Sequence, residues 1–214
     1  MHMPLFLLNT TLFPGALLPL HVFEDRYRLM ISECLRQKAA FGVVLIREGL
    51  EVGGPAVPYD FGTTASITHV QRQADGSMNL MTVGGERFRI AEVLRQTPFY
   101  LADVEIVASS DSESAHDLAD RVGELFAEYY KLYLSLSRQW AQRIPLPADP
   151  AVMSDHVAAR LDVPMQEKQR LLETLSVPGR LQMEQRLLEQ GLAALRPRVQ
   201  QANDSRWQSP AALN

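Results

Sequence analysis

The feature that most constrains this fold is a polar stretch, residues 109–114 (SSDSES), because the spacing of apolar residues changes there. Before it, apolar and polar residues alternate in short runs, as along residues 102–106, which is typical of half-buried strands. After it, apolar residues recur every three or four positions over residues 118–140, as in an amphipathic helix. Strands in one half and helices in the other predict an α+β fold.

Short strands and tight turns are predicted throughout the first half. Apolar runs predict strands at residues 3–8 and 41–46, and helical spacing predicts one early helix from residue 24 to about residue 38. Asp75-Gly76 lies between two further strands and is a strong hairpin signal. Residues 49–62 hold four glycines and two prolines and are predicted to be a loop. Short strands in series favour a small antiparallel barrel over a doubly wound sheet.

The second half is predicted to be helical, with breaks at prolines. Asp149 followed by Pro150 is a helix N-cap with proline at the first helical position. The helices predicted after this cap cover residues 151–161, 165–175 and 178–195, and Pro197 is expected to end the last one. The predicted organisation is therefore a β-rich subdomain (1–108), an α-helical subdomain (109–197) and a flexible tail (198–214).

Composition restricts the classes of partner. The net charge is −4, and no concentrated basic block appears, so nucleic acid is not an expected partner. No apolar run approaches the roughly 20 residues that span a membrane, so neither export nor a membrane partner is expected. Cys34 is the single cysteine and cannot form an internal disulfide. A reducing cytoplasm is therefore the expected location.

Signatures of catalysis are missing from the sequence. It contains no phosphate-binding loop of the G-x-x-x-x-G-K-[ST] type, no G-x-G-x-x-G and no G-x-S-x-G. The five histidines are scattered and form no H-x-x-x-H pair, so we expect no metal and no cofactor. Cys34 lies on the apolar face of the early helix and is interpreted as a buried hydrophobic residue. We therefore expect no catalytic residue and no enzymatic activity.

Several segments, in their order and spacing, resemble one family over about residues 4–195. The most distinctive is the opening stretch, in which Leu12-Phe13-Pro14-Gly15 leads into the run from Leu18 to Tyr27. It resembles the N-terminal substrate-binding domain of Lon-type ATP-dependent proteases, which also occurs as a stand-alone protein. Later segments similar to that family are Phe41–Ile46, Gly62–Ala65, Gly84–Ile90, Glu167–Glu173 and Arg180-Leu181.

The resemblance implies a fold and a function. The fold would be a PUA-like antiparallel β pseudo-barrel with one early helix, followed by an α-helical bundle subdomain. The function would be that of a non-catalytic module that recognises unfolded or exposed apolar protein segments, in association with a protease. Neither ATP hydrolysis nor peptide-bond cleavage is implied, because the ATPase module and the Ser–Lys protease domain of a full Lon protease are not matched here.

Recognition of apolar segments needs exposed apolar side chains. The candidates are Tyr59 and Phe61, in the predicted long loop, and Phe99 with Tyr100, which follow Pro98. Each of these aromatic residues has a structural alternative, in which its ring anchors a loop to the core.

An alternative function belongs to another class: a small-molecule binder or enzyme that uses the cleft between the β-subdomain and the helical subdomain. Arg26, Arg87 and Arg89 would supply convergent polar groups there. A third hypothesis is a structural partner that acts through the helical half. The sequence leaves the identity of the partner and the oligomeric state open.

Overall fold

A computed structural model describes residues 1–54, 56–136, 139 and 144–207. The strands in this part of the chain are β1 His2–Leu8, β2 Leu17–Val22, β3 Phe41–Gly49, β4 Ala56–Arg72, β5 Met78–Arg95 and β6 Tyr100–Val107. The helices are α1 Asp25–Gln37, α2 His116–Leu136, α3 Pro150–Arg160, α4 Met165–Glu173 and α5 Val177–Trp207. The predicted α+β class is confirmed. Residues 137, 138 and 140 of the helix predicted over 118–140 lie outside the described residues.

The chain forms two compact units. The first contains residues 1–110 and residues 158–175, and the second contains residues 111–157 and the chain from Ser176 onward. Helix α4 therefore lies with the strands, whereas the sequence grouped it with the other helices. Each unit is described by itself below.

The first unit is built on a six-stranded sheet in the order β2-β5-β4-β3-β1-β6, and an additional pairing of β5 with β6 closes five of its strands into a ring. The ring closes because β5 is long: its first half pairs with β2 and its second half with β6. The sheet is mixed rather than wholly antiparallel, because β1 and β3 run parallel. The chain between them, through β2 and α1, is long enough for the crossover that a parallel pair requires.

Strand β4 begins inside the predicted glycine-rich loop. Ala56 and Val57 already pair with β3, so the prediction of a loop up to residue 62 is wrong in its second part. Pro58 is tolerated because the β3–β4 register shifts on either side of Ile46, where a ladder hydrogen bond can be missing.

The Pro14-Gly15 turn is tied to β5 by backbone hydrogen bonds. Gly15 adopts a positive φ of 74°, which a residue with a side chain rarely adopts. Its N–H donates to the Gly84 carbonyl at 2.8 Å, and the Gly84 N–H donates to the Ala16 carbonyl at 2.9 Å. This double contact sets the start of β2 against β5.

Strand β1 is buried on both faces and divides the core of the first unit in two. Phe6 and Leu8 belong to a cluster that α1 covers through Tyr27, Met30, Ile31 and Cys34. Met3, Leu5 and Leu7 belong to the opposite cluster, around Phe88. The alternation follows from the two-residue period of a strand. The helix predicted near residues 24–38 is confirmed, and Cys34, predicted on its apolar face, is buried.

The second unit packs α2 against α5, and the part of α3 up to Val157 is joined to α5 through Ser154. The predicted cap of α3 is confirmed, because the Val152 N–H donates to Asp149 Oδ1 at 2.9 Å. Helix α5 continues through Pro197 to Trp207, so the prediction that Pro197 ends it is wrong. A proline removes one helical hydrogen bond, and good helix formers around it allow the helix to continue. Residues 208–214 of the predicted tail lie outside the described residues.

Candidate functional site

The four predicted aromatic residues make contacts within the first unit. Phe99 is 3% exposed and belongs to the core cluster beneath α1. Tyr59 and Tyr100 pack on the opposite cluster, and the Tyr100 hydroxyl donates to the Ala56 carbonyl at 2.6 Å. Phe61 is half-buried, and its carbonyl accepts a hydrogen bond from Gln169 Nε2 at 3.2 Å. These are the contacts of structural anchors, and a binding role for these rings stays a prediction.

The three predicted arginines have different partners. Arg87 is 4% exposed, and its Nε donates to the Leu172 carbonyl at 3.1 Å. Arg89 is exposed and forms an ion pair with Glu105 at 2.7 Å. Arg26 forms an ion pair with Glu24 at 3.0 Å. The described contacts do not bring these guanidinium groups together, and the cleft proposed for them stays a prediction.

Arg26 does lie beside a groove in the first unit. This cavity of about 250 Å³, called the β2 groove below, follows β2 along its length. Its lining is mostly apolar and comes from β1, β2, the start of α1 and the loop after β3: Phe6, Leu8, Thr10, Leu18–Glu24, Tyr27, Glu51 and Val52.

Two stacked rings form part of the lining of the β2 groove. Phe6 and Tyr27 are nearly parallel, with ring centroids 3.8 Å apart. The Leu7 N–H donates to the Tyr27 hydroxyl oxygen at 3.3 Å, and this hydroxyl lies 3.5 Å from the Leu7 carbonyl, to which it donates. Burial raises the pKa of Tyr27, so this hydroxyl keeps its proton and remains a donor. The stacked pair therefore forms a buried apolar floor of the groove.

Large apolar side chains are exposed around the groove. Phe23 and Val52, which line it, are 51% and 54% exposed. Leu17 at the start of β2 is 66% exposed, and Leu50 in the loop is 65% exposed. Exposed apolar side chains are ordinary when they are single, but a group of them beside a groove is typical of an interaction surface.

Charged groups at the groove are held in place by hydrogen bonds. Arg26 donates to the Glu51 carbonyl at 3.0 Å as well as pairing with Glu24, and its guanidinium lies 4.5 Å from the Tyr27 ring centroid. Glu51 Oε2 accepts a hydrogen bond from the Asn9 N–H at 2.8 Å. The loop that carries Val52 is thereby fastened to the end of β1 and to α1.

The opening stretch indicated the family in the sequence, but nothing in it predicted the groove as a whole. One local signal was present: Leu17 interrupts the alternation of β2, in which Leu18, Leu20 and Val22 point inward, so an apolar residue stands on the outer face. The contributions of Glu51 and Val52 had no such signal, because they reach the groove only through the tertiary fold.

A larger cavity of about 470 Å³ lies in the second unit, along α2. Its polar groups, His116, Asp120 and Glu124, are exposed and follow one face of the helix, and apolar residues and Gly123 form the remainder. No group of three potential metal ligands occurs among the described residues. Within the same residues, no helix has the length and hydropathy needed to cross a membrane.

Comparison with known proteins connects this fold to one family. The sequence model of the ATP-dependent protease La (LON) substrate-binding domain matches residues 2–190. The chain is 30% identical to Lon protease 2 of Myxococcus xanthus over 184 residues, and 29% identical to Lon protease of Anaeromyxobacter dehalogenans over 184 residues. Each alignment covers 84% of this chain and 22% of the relative, so the chain spans about a fifth of the length of these curated proteins.

Solved structures have the same fold. The Lon N-terminal domain protein from Xanthomonas campestris matches with a TM-score of 0.63 and 24% identity, over 85% of this chain and 95% of that chain. The N-terminal domain of a Mycobacterium avium complex Lon protease matches with a TM-score of 0.59 and 21% identity, over 88% and 98% of the two chains. At these identities the likeness concerns the fold alone.

Proposed function

This chain belongs to the LON substrate-binding domain family, and we propose that it recognises exposed apolar segments of unfolded proteins through the β2 groove. The observation that carries the proposal is the pair of exposed apolar side chains that line the groove, Phe23 and Val52, with exposed Leu17 and Leu50 next to lining residues in the sequence. Unfolded chains expose the side chains that a native fold buries, and their transfer from water to an apolar groove is favourable.

The groove suits a recognition role more than a catalytic one. Its charged side chains make contacts within the protein: Glu24 pairs with Arg26, and Glu51 accepts a hydrogen bond from the Asn9 N–H. The proposal therefore includes no chemical step on the bound protein. It includes a protease as partner, to which bound chains would be delivered or from which they would be withheld. The single buried thiol, Cys34, supports a reducing compartment such as the cytoplasm.

The proposal is tested by titrating the protein into a fluorescently labelled, permanently unfolded protein and following anisotropy. We expect saturable binding with a Kd of tens of micromolar or tighter. The double variant Phe23→Ser, Val52→Ser should weaken binding at least tenfold, because it removes apolar surface from the groove.

The matched control is Val93→Ser, Ile106→Ser. These two residues are 38% and 40% exposed on β5 and β6 and do not line the groove. This control should bind as the unaltered protein does. Absence of binding at tens of micromolar would contradict the proposed function, and equal losses in the two double variants would contradict its location.

A further inference from the structure

The groove lies beside an unpaired strand edge. Among the described residues, β2 pairs only with β5, and the other edge of β2 has no strand partner. Strand β6 reaches β1 only at residues 2–5, so it does not extend alongside Phe6 and Leu8. Phe6 and Leu8 line the same groove as β2. The groove therefore lies between the unpaired edge of β2 and the end of β1, a gap that we call the seam.

The backbone groups that β2 directs into this seam follow from its register. The Gly84 N–H donates to the Ala16 carbonyl at 2.9 Å, and the β2–β5 register continues without a shift from Leu17 to Val22. Since hydrogen-bonded and non-bonded residues alternate in an antiparallel pair, the backbone groups of Leu18 and Leu20 also face β5. Those of Leu17, Pro19 and His21 face away from it.

Pro19 is consistent with this assignment and limits what the edge can bind. A proline in a sheet is found on an edge strand, where its missing N–H is not needed by the neighbouring strand. Prolines also protect edges from uncontrolled pairing. Here Pro19 removes one donor and leaves two, the N–H groups of Leu17 and His21, together with three carbonyl acceptors. An added strand could therefore form only part of the usual ladder of backbone hydrogen bonds, and the positions of those bonds would be fixed.

The charges at the seam favour one kind of segment. Among the described residues, two carboxylates, Glu24 and Glu51, line the groove, and one guanidinium, that of Arg26, contacts them. The local balance is negative, so a lysine or arginine beside the apolar segment would be attracted and an acidic residue repelled. The attraction is modest for exposed groups and falls with salt.

We propose that the target binds as an extended strand that pairs with the outer edge of β2, placing apolar side chains in the groove and a basic residue beside Glu24 and Glu51. Such strand addition combines backbone hydrogen bonds, which tolerate many sequences, with pockets for alternate side chains. This inference rests on the proposed function and specifies the conformation and charge of the bound segment.

Amide hydrogen exchange at single-residue resolution tests the pairing directly. The ligand is a ten-residue peptide of leucine, valine and phenylalanine, with a lysine at each end. On saturation, the amides of Leu17 and His21 should exchange at least tenfold more slowly. The amides of Leu18 and Leu20, already bonded to β5, should change little. Binding without slower exchange at Leu17 and His21 would overturn strand pairing.

Two N-methylated forms of the same peptide give an independent test. One carries methyl groups on its odd amides and the other on its even amides, so only one of them blocks the face that pairs with β2. We expect at least tenfold weaker binding for one form and nearly unchanged binding for the other. Equal affinities would overturn strand pairing while the proposed function stood, whereas failure of the parent peptide and of unfolded protein to bind would contradict the proposed function itself.

A fourth peptide, with glutamate in place of both lysines, tests the charge preference. Weaker binding of this peptide, with the difference shrinking at high salt, is the expected result. Equal binding of the lysine and glutamate peptides at low salt would overturn the charge preference.

Discussion

At the scale of single residues, Gly84 has the closest neighbour of the glycines in the first unit. A Cβ atom at this residue would stand 2.2 Å from the Phe13 carbonyl oxygen, a backbone atom that cannot rotate away. We expect Gly84→Ala to lower the free energy of unfolding by about 1–3 kcal/mol, the range typical of overpacking. Urea denaturation measures this change.

The control for Gly84 is Gly54→Ala, since the nearest atom to its Cβ would be a side-chain carbon of Leu50 at 3.2 Å. Its stability should change by less than about 1 kcal/mol, as is usual for substitutions outside the core. If the two alanine variants proved equally stable, the close approach of β5 to the Pro14-Gly15 turn would not be a constraint on the fold.

Cys34 provides a prediction about pH and reactivity. Burial, with a smaller contribution from Glu33, raises the pKa of its thiol from 9.0 to about 11. Because the thiolate is the reactive form, a disulfide reagent at pH 8 should modify the native protein far more slowly than the protein in urea. Comparable rates in the two conditions would mean that the thiol is accessible and normally acidic.

The same shift predicts how stability changes with pH. The folded protein keeps the Cys34 proton to a higher pH than the unfolded chain does, so unfolding releases a proton in this range. The stability that the protonated Cys34 thiol contributes is therefore fully present below the pKa of the unfolded thiol. It is lost as pH rises towards 11. Cys34→Ala should show a weaker decline between pH 9 and pH 11 when unfolding free energies are compared.

At the scale of elements, a buried ionic cluster joins α3 to α5 within the second unit. Arg180 is fully buried; its Nε donates to Ser154 Oγ at 2.7 Å, and Ser154 Oγ donates to Glu184 Oε1 at 2.6 Å. Asp155 lies 3.6 Å from the Arg180 guanidinium. Removing one partner of such a cluster leaves an uncompensated buried charge.

Arg180→Met should therefore lower the free energy of unfolding by about 3–5 kcal/mol. Arg196 is the matched control, because it lies on the same helix but pairs with Glu128 in an exposed position. Arg196→Met should cost no more than about 1 kcal/mol. Thermal or urea unfolding of the two variants gives the comparison, and similar losses would show that the buried cluster does not anchor α3.

Elements with a clear period could be predicted from the sequence, and elements that depend on tertiary partners could not. The face of α1 that carries Tyr27 and Cys34 followed from its spacing. The first residues of β4 did not, because glycine and proline suggested a loop and pairing with β3 overrode that preference. Helix α5 passes through Pro197 for a related reason: one local breaker does not end a helix with good formers on both sides.

At the scale of the whole molecule, order and spacing of motifs predicted the family, and the family-model match over residues 2–190 confirms it. The candidate site was harder to predict. Residues chosen for their aromatic character, such as Phe99, pack in the interior. The groove instead combines Phe6, Phe23 and Val52, which are far apart in sequence and meet only because the sheet leaves a seam beside β2.

Site-specific photo-crosslinking tests the central claim, that unfolded proteins bind at the β2 groove. The substitution Phe23→p-benzoylphenylalanine places a crosslinker at the groove, and Ile106→p-benzoylphenylalanine places one on an exposed strand position outside it. With a labelled unfolded protein present, we predict a crosslinked product from position 23 and little product from position 106. The native form of the same labelled protein should give no product from position 23. Equal crosslinking from both positions, or none from position 23 while binding persists, would contradict the account.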